Sequence, residues 1–177
     1  PSGLNPDYTG VMGLNNFDDS WGIWGHNLRK VLGDNVDKVY ATIHGKTDDS
    51  QLCFSSEEMY RQIESYIVDN IGEKGSSRFV IAPDDTPYAC TCASCTAMGN
   101  TEKNATPAVT ELLLRLSQRF PKHSFFTISY LSTKQVTDKQ LPSNAGIIVS
   151  AIDFPLRRID GNAALHSPPT ALAHAAP

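Results

Sequence analysis

The chain has 177 residues, of which 40% are hydrophobic and 19% are charged, and its formal net charge is −4. This composition is typical of an ordered, soluble globular protein, because disordered chains carry fewer apolar residues and more charge. The acidic balance and the scattered Lys and Arg residues argue against a nucleic-acid partner, which requires a basic face. No apolar run approaches the length of about 20 residues that crosses a membrane.

Residues 1–36 are predicted to form an irregular lead-in with a short helix near its end. The first 20 residues are rich in Gly, Asn, Asp and Pro and have no sustained period. Apolar residues then recur at three- and four-residue steps from Trp21 to Leu32, which predicts an amphipathic helix or a loop entering one. Trp24 and His26 in this segment are candidate sugar contacts, although helical spacing also favours packing of a Trp in the core.

Residues 37–154 carry an alternating pattern of strands and helices. Strands are predicted at 37–43, 79–82, 125–131 and 146–152, the last as an apolar run buried on both faces. Helices are predicted at 57–71, after a serine cap, and at 106–120, with Pro107 in its first turn. A polar connector occupies 132–143, and 155–177 is predicted to be a poorly ordered tail. Such alternation indicates an α/β fold with parallel strands and right-handed crossovers.

Polar side chains follow each of the four predicted strands. They are His44, then the adjacent Asp84 and Asp85, then Tyr130, and finally Asp153. Because the carboxyl ends of parallel strands lie on one side, these groups should share one rim, as the active sites of barrels do. A lone histidine at a strand end is also commonly just solvated or involved in capping.

Asp84 and Asp85 are the candidate catalytic residues. Neighbouring carboxylates repel each other, and partial burial raises the pKa of one, so one can act as an acid while the other stays charged. Cleavage of a glycosidic bond requires that division of roles. An Asp-Asp pair before Thr-Pro is equally an ordinary turn sequence.

Cys90, Cys92 and Cys95 form the most specific pattern in the chain. Three thiolates at this spacing, with Cys53 or a histidine as the fourth ligand, are able to hold a structural zinc. A disulfide, with Cys53 as one candidate partner, is the alternative in an oxidising compartment. A redox pair is a third interpretation, which would need a helix to begin at the first cysteine of the Cys-x-x-Cys. Zinc or disulfide would brace the loop that carries the two aspartates.

Several of these segments together resemble the bacterial domain-of-unknown-function family 4838. The resemblance rests on Trp21 to Leu28, Gln51-Leu52-Cys53, Ile81 to Asp85 and the Cys-x-Cys-x-x-Cys from Cys90 to Cys95, and it extends to Phe120-Pro121 and the strand ending at Tyr130. It covers residues from about Asn15 to Asp153. Members of this family look like glycoside-hydrolase barrels in large secreted proteins of polysaccharide-degrading bacteria.

The resemblance implies a carbohydrate-active role for this chain. It implies a glycan ligand, a secreted, periplasmic or cell-surface location, Asp84 or Asp85 as acids and the four cysteines as a brace. A complete (β/α) barrel of the TIM type needs around 250 residues, so the chain is predicted to be a partial barrel whose exposed sheet edges could self-associate. No cofactor is required, and a structural zinc is one of the two interpretations of the cysteine brace. The alternatives are a non-catalytic carbohydrate-binding or structural domain of a larger secreted polysaccharide-utilisation protein, and a zinc-braced interaction domain.

Overall fold

The structure is a computed structural model that describes residues 21–33, 36–73, 75–150 and 152. Its strands are Trp21–Ile23 (β1), Tyr40–Ile43 (β2), Lys46–Leu52 (β3), Arg78–Val80 (β4), Ser124–Ser129 (β5) and Ala145–Val149 (β6). Its α-helices are Glu57–Tyr66 (α1), Ala93–Met98 (α2) and Thr106–Arg119 (α3), and α1 continues into a π-helical turn over Ile67–Ile71. Short 3-10 turns cover Leu28–Val31, Val36–Lys38 and Leu131–Thr133. The predictions made for residues 1–20, for Asp153 and for the tail at 155–177 lie outside the described residues.

A four-stranded sheet is the centre of the fold. Its strands lie in the order β1-β4-β5-β6, and every neighbouring pair is parallel. Helix α3 connects β4 to β5 and contacts both β5 and β6. The predicted mixed α/β fold with parallel strands is therefore confirmed.

The first strand of this sheet lies where a short helix, or a loop entering one, was predicted from Trp21 onward. Residues Trp21–Ile23 pair with β4, and only a 3-10 turn follows, at Leu28–Val31. Two glycines explain the difference. A Cβ atom at Gly22 would lie 2.2 Å from the ring of Phe79, so only glycine fits at this position where β1 pairs with β4. Gly25 has a φ of 60°, which ends the strand in a turn instead of a helix.

The strand predicted at 37–43 exists, but it does not belong to the parallel sheet. Strand β2 pairs antiparallel with β3 in a separate two-stranded hairpin. His44 and Gly45 form the turn of this hairpin with φ angles of 50° and 75°. Two consecutive residues with positive φ are typical of a tight hairpin turn. The expected position of His44 on the rim of the parallel sheet is therefore wrong.

Both long helices are formed where the sequence predicts them. The Ser56 side chain accepts a hydrogen bond from the backbone N–H of Met59 and so caps α1. Helix α3 begins at Thr106 with Pro107 in its first turn. Beyond the 3-10 turn at Leu131–Thr133, the polar connector before β6 contains no helix, as expected.

The main core lies between the sheet and the helices. Phe79 and Phe125, neighbours on β4 and β5, stack with ring centroids 5.3 Å apart. His123 is fully buried beside Phe79, where its Nδ1 accepts the N–H of Ser77 at 3.0 Å. Its Nε2 lies 2.9 Å from the carbonyl oxygen of Gly72, to which it donates. A buried histidine thus joins the end of the π-helical turn to the start of β4.

Strand β6 is more exposed than its apolar sequence predicts. Ile147 and Val149 are 38% and 59% exposed, which contradicts the expectation of burial on both faces. Among the described residues β6 pairs only with β5, and it therefore forms an edge of the sheet. In the same part of the chain, no helix combines the length and the hydropathy that a membrane crossing needs.

Candidate functional site

Asp84 lies just beyond the carboxyl end of β4. Residues 81–83 continue the strand as buried, extended chain, and the Asp84 side chain emerges from it 20% exposed. The Arg29 guanidinium donates to Asp84 Oδ2 from Nε at 2.7 Å, and its Nη2 lies 2.6 Å from the same oxygen. Arg29 also donates to the carbonyl of Asp49 and lies over the ring of Tyr40. The 3-10 turn after β1 thus holds the Asp84 carboxylate in a fixed orientation.

His26 and Tyr130 lie beside this aspartate on the same rim. The Nδ1 of His26 is 2.6 Å from the carbonyl oxygen of Pro83, the residue before Asp84. Because a carbonyl can only accept, Nδ1 carries the proton in this contact and Nε2 is left as an acceptor. The rings of His26 and Tyr130 have centroids 6.2 Å apart. The ends of β1, β4 and β5 therefore bring together His26, Asp84 and Tyr130, three of the predicted residues.

Trp24 is half-buried next to this group. Its ring meets that of Trp21 edge to face at 4.6 Å, and Trp21 in turn packs against Phe126 on β5. One tryptophan thus packs onto the sheet, as core packing predicts, while the other lies where β1 ends.

The remaining predicted residues lie elsewhere. Asp85 is exposed, one residue beyond the ion-paired Asp84. His44 lies in the hairpin turn, 3.5 Å from Glu102 and close to the ring of Tyr88. Asp153 is outside the described residues, so the structure does not test its expected place on the rim.

The four cysteines converge at one point. Their sulfur atoms all lie within 4.8 Å of one another. Cys53 Sγ is 3.7 Å from Cys92 Sγ and 3.8 Å from Cys95 Sγ, and none of the four is in a disulfide. Cys53 follows β3, whereas the other three precede or begin α2, so the cluster joins the hairpin to the loop after β4. Four cysteines are thus placed so that they could bind a metal ion.

Backbone and hydroxyl groups surround the sulfur atoms. The N–H of Thr42 donates to Cys90 Sγ at 3.2 Å, and the N–H of Cys95 points to Cys92 Sγ at 3.5 Å. The Ser55 hydroxyl lies 3.1–3.5 Å from the other sulfur atoms, those of Cys53, Cys92 and Cys95. The backbone N–H groups of Thr42 and Cys95 are donors of the kind that stabilise thiolates and orient the ligands of metal sites, whereas the Ser55 hydroxyl accepts from the Cys95 thiol.

The thiols differ in proton affinity. Hydrogen bonds from Cys53 and then Cys95 lower the pKa of Cys90. The contact with Cys90 raises the pKa of Cys53, and the contacts with Cys53 and Cys90 raise that of Cys95. One thiolate is therefore stabilised by its neighbours, and a bound cation would displace the protons of the others.

Helix α2 begins directly after Cys92, which the sequence did not indicate. The Cys92 side chain caps this helix of six residues, so a helix start does coincide with the first cysteine of the Cys-x-x-Cys. That geometry removes one objection to a redox pair. Convergence of all four sulfur atoms distinguishes the site from an isolated pair, because a redox pair has no need of Cys53 and Cys90.

Two residues of the rim were missed by sequence reasoning. Arg29 forms the ion pair with Asp84. Gln51, at the end of β3, forms hydrogen bonds with the backbone N–H and the carbonyl of Asp84. In the sequence, Gln51 stands out only as part of the Gln51-Leu52-Cys53 segment that contributes to the family resemblance. Its 1% exposure in a short polar strand was the feature that could not be recognised from residue types.

Comparison with known proteins agrees with the resemblance seen in the sequence. The model of the family described as "Domain of unknown function (DUF4838)" matches residues 28–162, so the chain belongs to this family. The match includes the four cysteines, Arg29, Asp84 and Tyr130. No curated protein and no solved structure matches the chain significantly.

Proposed function

We propose that this chain is a carbohydrate-active segment of a glycoside-hydrolase-like (β/α) barrel that binds a glycan at its rim. The observation that carries the proposal is the convergence of His26, Asp84 and Tyr130 at the carboxyl ends of three parallel strands. This is the end of a parallel sheet at which barrels and open α/β folds bind their ligands. The proposed location of the parent bacterial protein is secreted, periplasmic or on the cell surface.

A barrel is supported by the two faces of the sheet. Phe79 and Phe125 point to the helices and are fully buried. On the opposite face Val80 is fully buried, whereas Trp21, Phe126 and Ile148 are only half-buried. Because parallel sheets are normally covered on both faces, this apolar second face fits the interior of a barrel that further strands complete.

Each rim residue has a chemical role in this proposal. Arg29 occupies Oδ2 of Asp84, whereas Oδ1 accepts no hydrogen bond from the described residues and is available to a sugar hydroxyl. His26 Nε2 is a second acceptor, and the Tyr130 hydroxyl is a donor or an acceptor. Trp24 supplies an apolar face for a pyranose ring.

Hydrolysis is the second candidate function, and it is favoured by the exposed Asp85 beside the ion-paired Asp84. One of the two carboxyl groups would act as the acid, and the other as base or as stabiliser of a substrate group. Turnover of a glycan by the native chain that is lost in Asp85→Asn, with binding retained, would favour this candidate over binding alone.

The test of binding is a screen of the purified chain on an array of defined oligosaccharides, followed by calorimetric titration of each glycan retained. Asp84→Asn should weaken binding by about tenfold or more, because a hydrogen bond to a charged group is worth about 1.5–3 kcal/mol. Asp69→Asn, the same change at an exposed position of the π-helical turn, is the matched control and should bind like the native chain. Retention of no glycan by the native chain, or equal affinities for the two variants, would contradict the proposal.

We also propose that Cys53, Cys90, Cys92 and Cys95 hold one structural Zn²⁺. Zinc–sulfur bonds of about 2.3 Å in a tetrahedron place the sulfur atoms about 3.8 Å apart. The separations of 3.7 and 3.8 Å between Cys53 and two of its neighbours agree with that value. When bound, the ion would brace the loop that carries Asp84, and its four protein ligands would leave no open position for catalysis.

Elemental analysis and a thiol count on the same preparation test the zinc proposal. About one zinc per chain is expected, with four free thiols after denaturation in a chelator. The Cys53→Ser variant should lose most of the zinc, because a closed structural site depends on all of its ligands. Two or fewer free thiols and no metal would show that a disulfide is the brace instead.

A further inference from the structure

Gln51 is a buried side chain whose polar atoms are all used by one short loop and the adjacent backbone. Its Oε1 accepts the N–H of Asp84 at 3.0 Å and the N–H of Leu52 at 2.9 Å. Its Nε2 donates to the carbonyl of Asp84 at 3.3 Å and to that of Tyr88 at 3.2 Å. The side chain is 1% exposed, so no solvent is available to replace these partners. Gln51 therefore holds both ends of the segment 84–88, which is called the Asp84 loop below.

The same strand end also leads into the cysteine cluster. Cys53 lies two positions after Gln51, and Cys90 lies two positions after Tyr88. Thr42 of the hairpin contacts this second connection, donating its N–H to Cys90 Sγ and accepting the N–H of Thr91 at 2.8 Å. The Asp84 loop is thus attached to the hairpin twice, by the Gln51 amide and by the sulfur cluster.

We propose that Gln51 is a positioning residue that couples metal binding at the cysteine cluster to the place of Asp84 on the rim. The inference rests on the metal proposed above. A bound ion fixes Cys53 relative to Cys90, and this fixes the end of β3 relative to the end of the Asp84 loop. Gln51 then keeps its four hydrogen bonds, and Asp84 stays opposite Arg29. Without the ion, Cys53 is held to the other cysteines by thiol contacts and the Ser55 hydroxyl. The Thr42–Thr91 backbone hydrogen bond still holds the hairpin to the segment after the loop, but the Asp84 loop opens more often.

Amide hydrogen exchange of the full chain, measured by NMR at constant pH, tests this coupling. The probe is the Asp84 N–H, which donates to Gln51, and the two states are the zinc-loaded chain and the chain treated with a chelator. Removing zinc should speed exchange at Asp84 by tenfold or more. Amides in the middle of α3, such as that of Leu113, should keep their protection, because the hydrogen bonds of Gln51 among the described residues go to Asp84, Tyr88 and Leu52 and not to this helix.

Variants separate the role of Gln51 from that of the metal. Gln51→Ala should speed exchange at Asp84 to the same extent while the chain still binds one zinc. Gln62→Ala, the same change on α1, is the matched control and should leave Asp84 as in the native chain. If Gln51→Ala does not fold, Gln51→Glu serves instead, since it keeps the size of the side chain but opposes a carboxylate to the carbonyls of Asp84 and Tyr88.

Three results would overturn the inference. They are unchanged exchange at Asp84 after zinc removal, equal loss of protection at Asp84 and throughout α3, and full protection of Asp84 in zinc-loaded Gln51 variants. A chain that binds no metal would overturn it as well. No glycan takes part in these measurements, so a negative glycan screen would reject the proposed ligand without affecting this result.

Discussion

At the scale of single residues, His123 has the clearest structural task. Both of its ring nitrogens are satisfied by backbone groups, the N–H of Ser77 and the carbonyl of Gly72, and the ring contacts Phe79 and Phe120. These partners come from three different parts of the chain. A neutral imidazole in this position joins them without any charge in the core.

Replacing His123 by alanine should therefore destabilise the protein strongly. The change removes the hydrogen-bond partner of the buried Ser77 N–H and of the half-buried Gly72 carbonyl and creates a cavity, so we expect the free energy of unfolding to fall by about 3 kcal/mol. Urea unfolding followed by circular dichroism measures it. His44→Ala is the control, because His44 is 61% exposed in its side chain, and it should change stability by less than about 0.5 kcal/mol. Similar losses for the two variants would show that the buried contacts of His123 contribute little.

The sequence predicts some residues of the candidate site but not their partners. The cysteine spacing identified the cluster, because three of its members are local in the chain. The pairing of Arg29 with Asp84 spans 55 positions, and no pattern of residue types selects this arginine from the others. Gln51 has the same difficulty, since a glutamine in a polar strand gives no sign that it is buried.

At the scale of secondary-structure elements, the packing of β1 depends on a missing side chain. Strand β1 lies so close to β4 that the ring of Phe79 occupies the space of a Cβ atom at position 22. The sheet therefore accepts only glycine there without movement of a fully buried phenylalanine.

We expect Gly22→Ala to destabilise the protein by about 1–3 kcal/mol, the usual cost of overpacking. Thermal or urea unfolding measures the change. Gly33→Ala is the matched control, because nothing lies within 4 Å of a Cβ atom at that position. A Gly22 variant as stable as the Gly33 variant would mean that β1 can move away from Phe79 at no cost.

Elements with local signals were predicted correctly, including the strands β2, β4, β5 and β6, whereas β1 and β3 were not. Helices α1 and α3 have caps and a sustained period within their own sequences. Strand β1 has three residues, too few for a period, and the spacing of Trp21 and Trp24 imitates a helix. Strand β3 has the sequence KTDDSQL, whose Lys, Asp and Ser residues are depleted in strands. It forms because β2 supplies the pairing partner, which only the folded chain reveals.

At the scale of the whole molecule, the exposed edge strand β6 leads us to expect that copies of the chain associate with one another. Its exposed Ile147 and Val149 lie on an edge strand, which is a template for pairing with another strand. We expect the native chain to self-associate as its concentration rises, which sedimentation velocity detects. Val149→Lys should weaken association by about tenfold or more, because a charged edge opposes pairing.

The control for this prediction is Val68→Lys. Val68 is 41% exposed on the π-helical turn, so the same charge is added away from the edge. This variant should associate like the native chain. A native chain that stays monomeric at all concentrations, or a Val149 variant that associates normally, would rule out β6 as the contact.

The cysteine cluster also has a topological consequence. Cys53 and Cys92 are 39 positions apart, and the chain between them contains α1, the π-helical turn and β4. With a metal bound, this part of the chain would form a closed ring. Strand β4, which lies between β1 and β5 in the sheet, is one segment of that ring. A protease that cuts the exposed turn at Glu73 or Gly75 would open the ring without dividing the molecule. The two fragments would stay joined through the metal and the packed core, and a chelator should make their separation in urea easier.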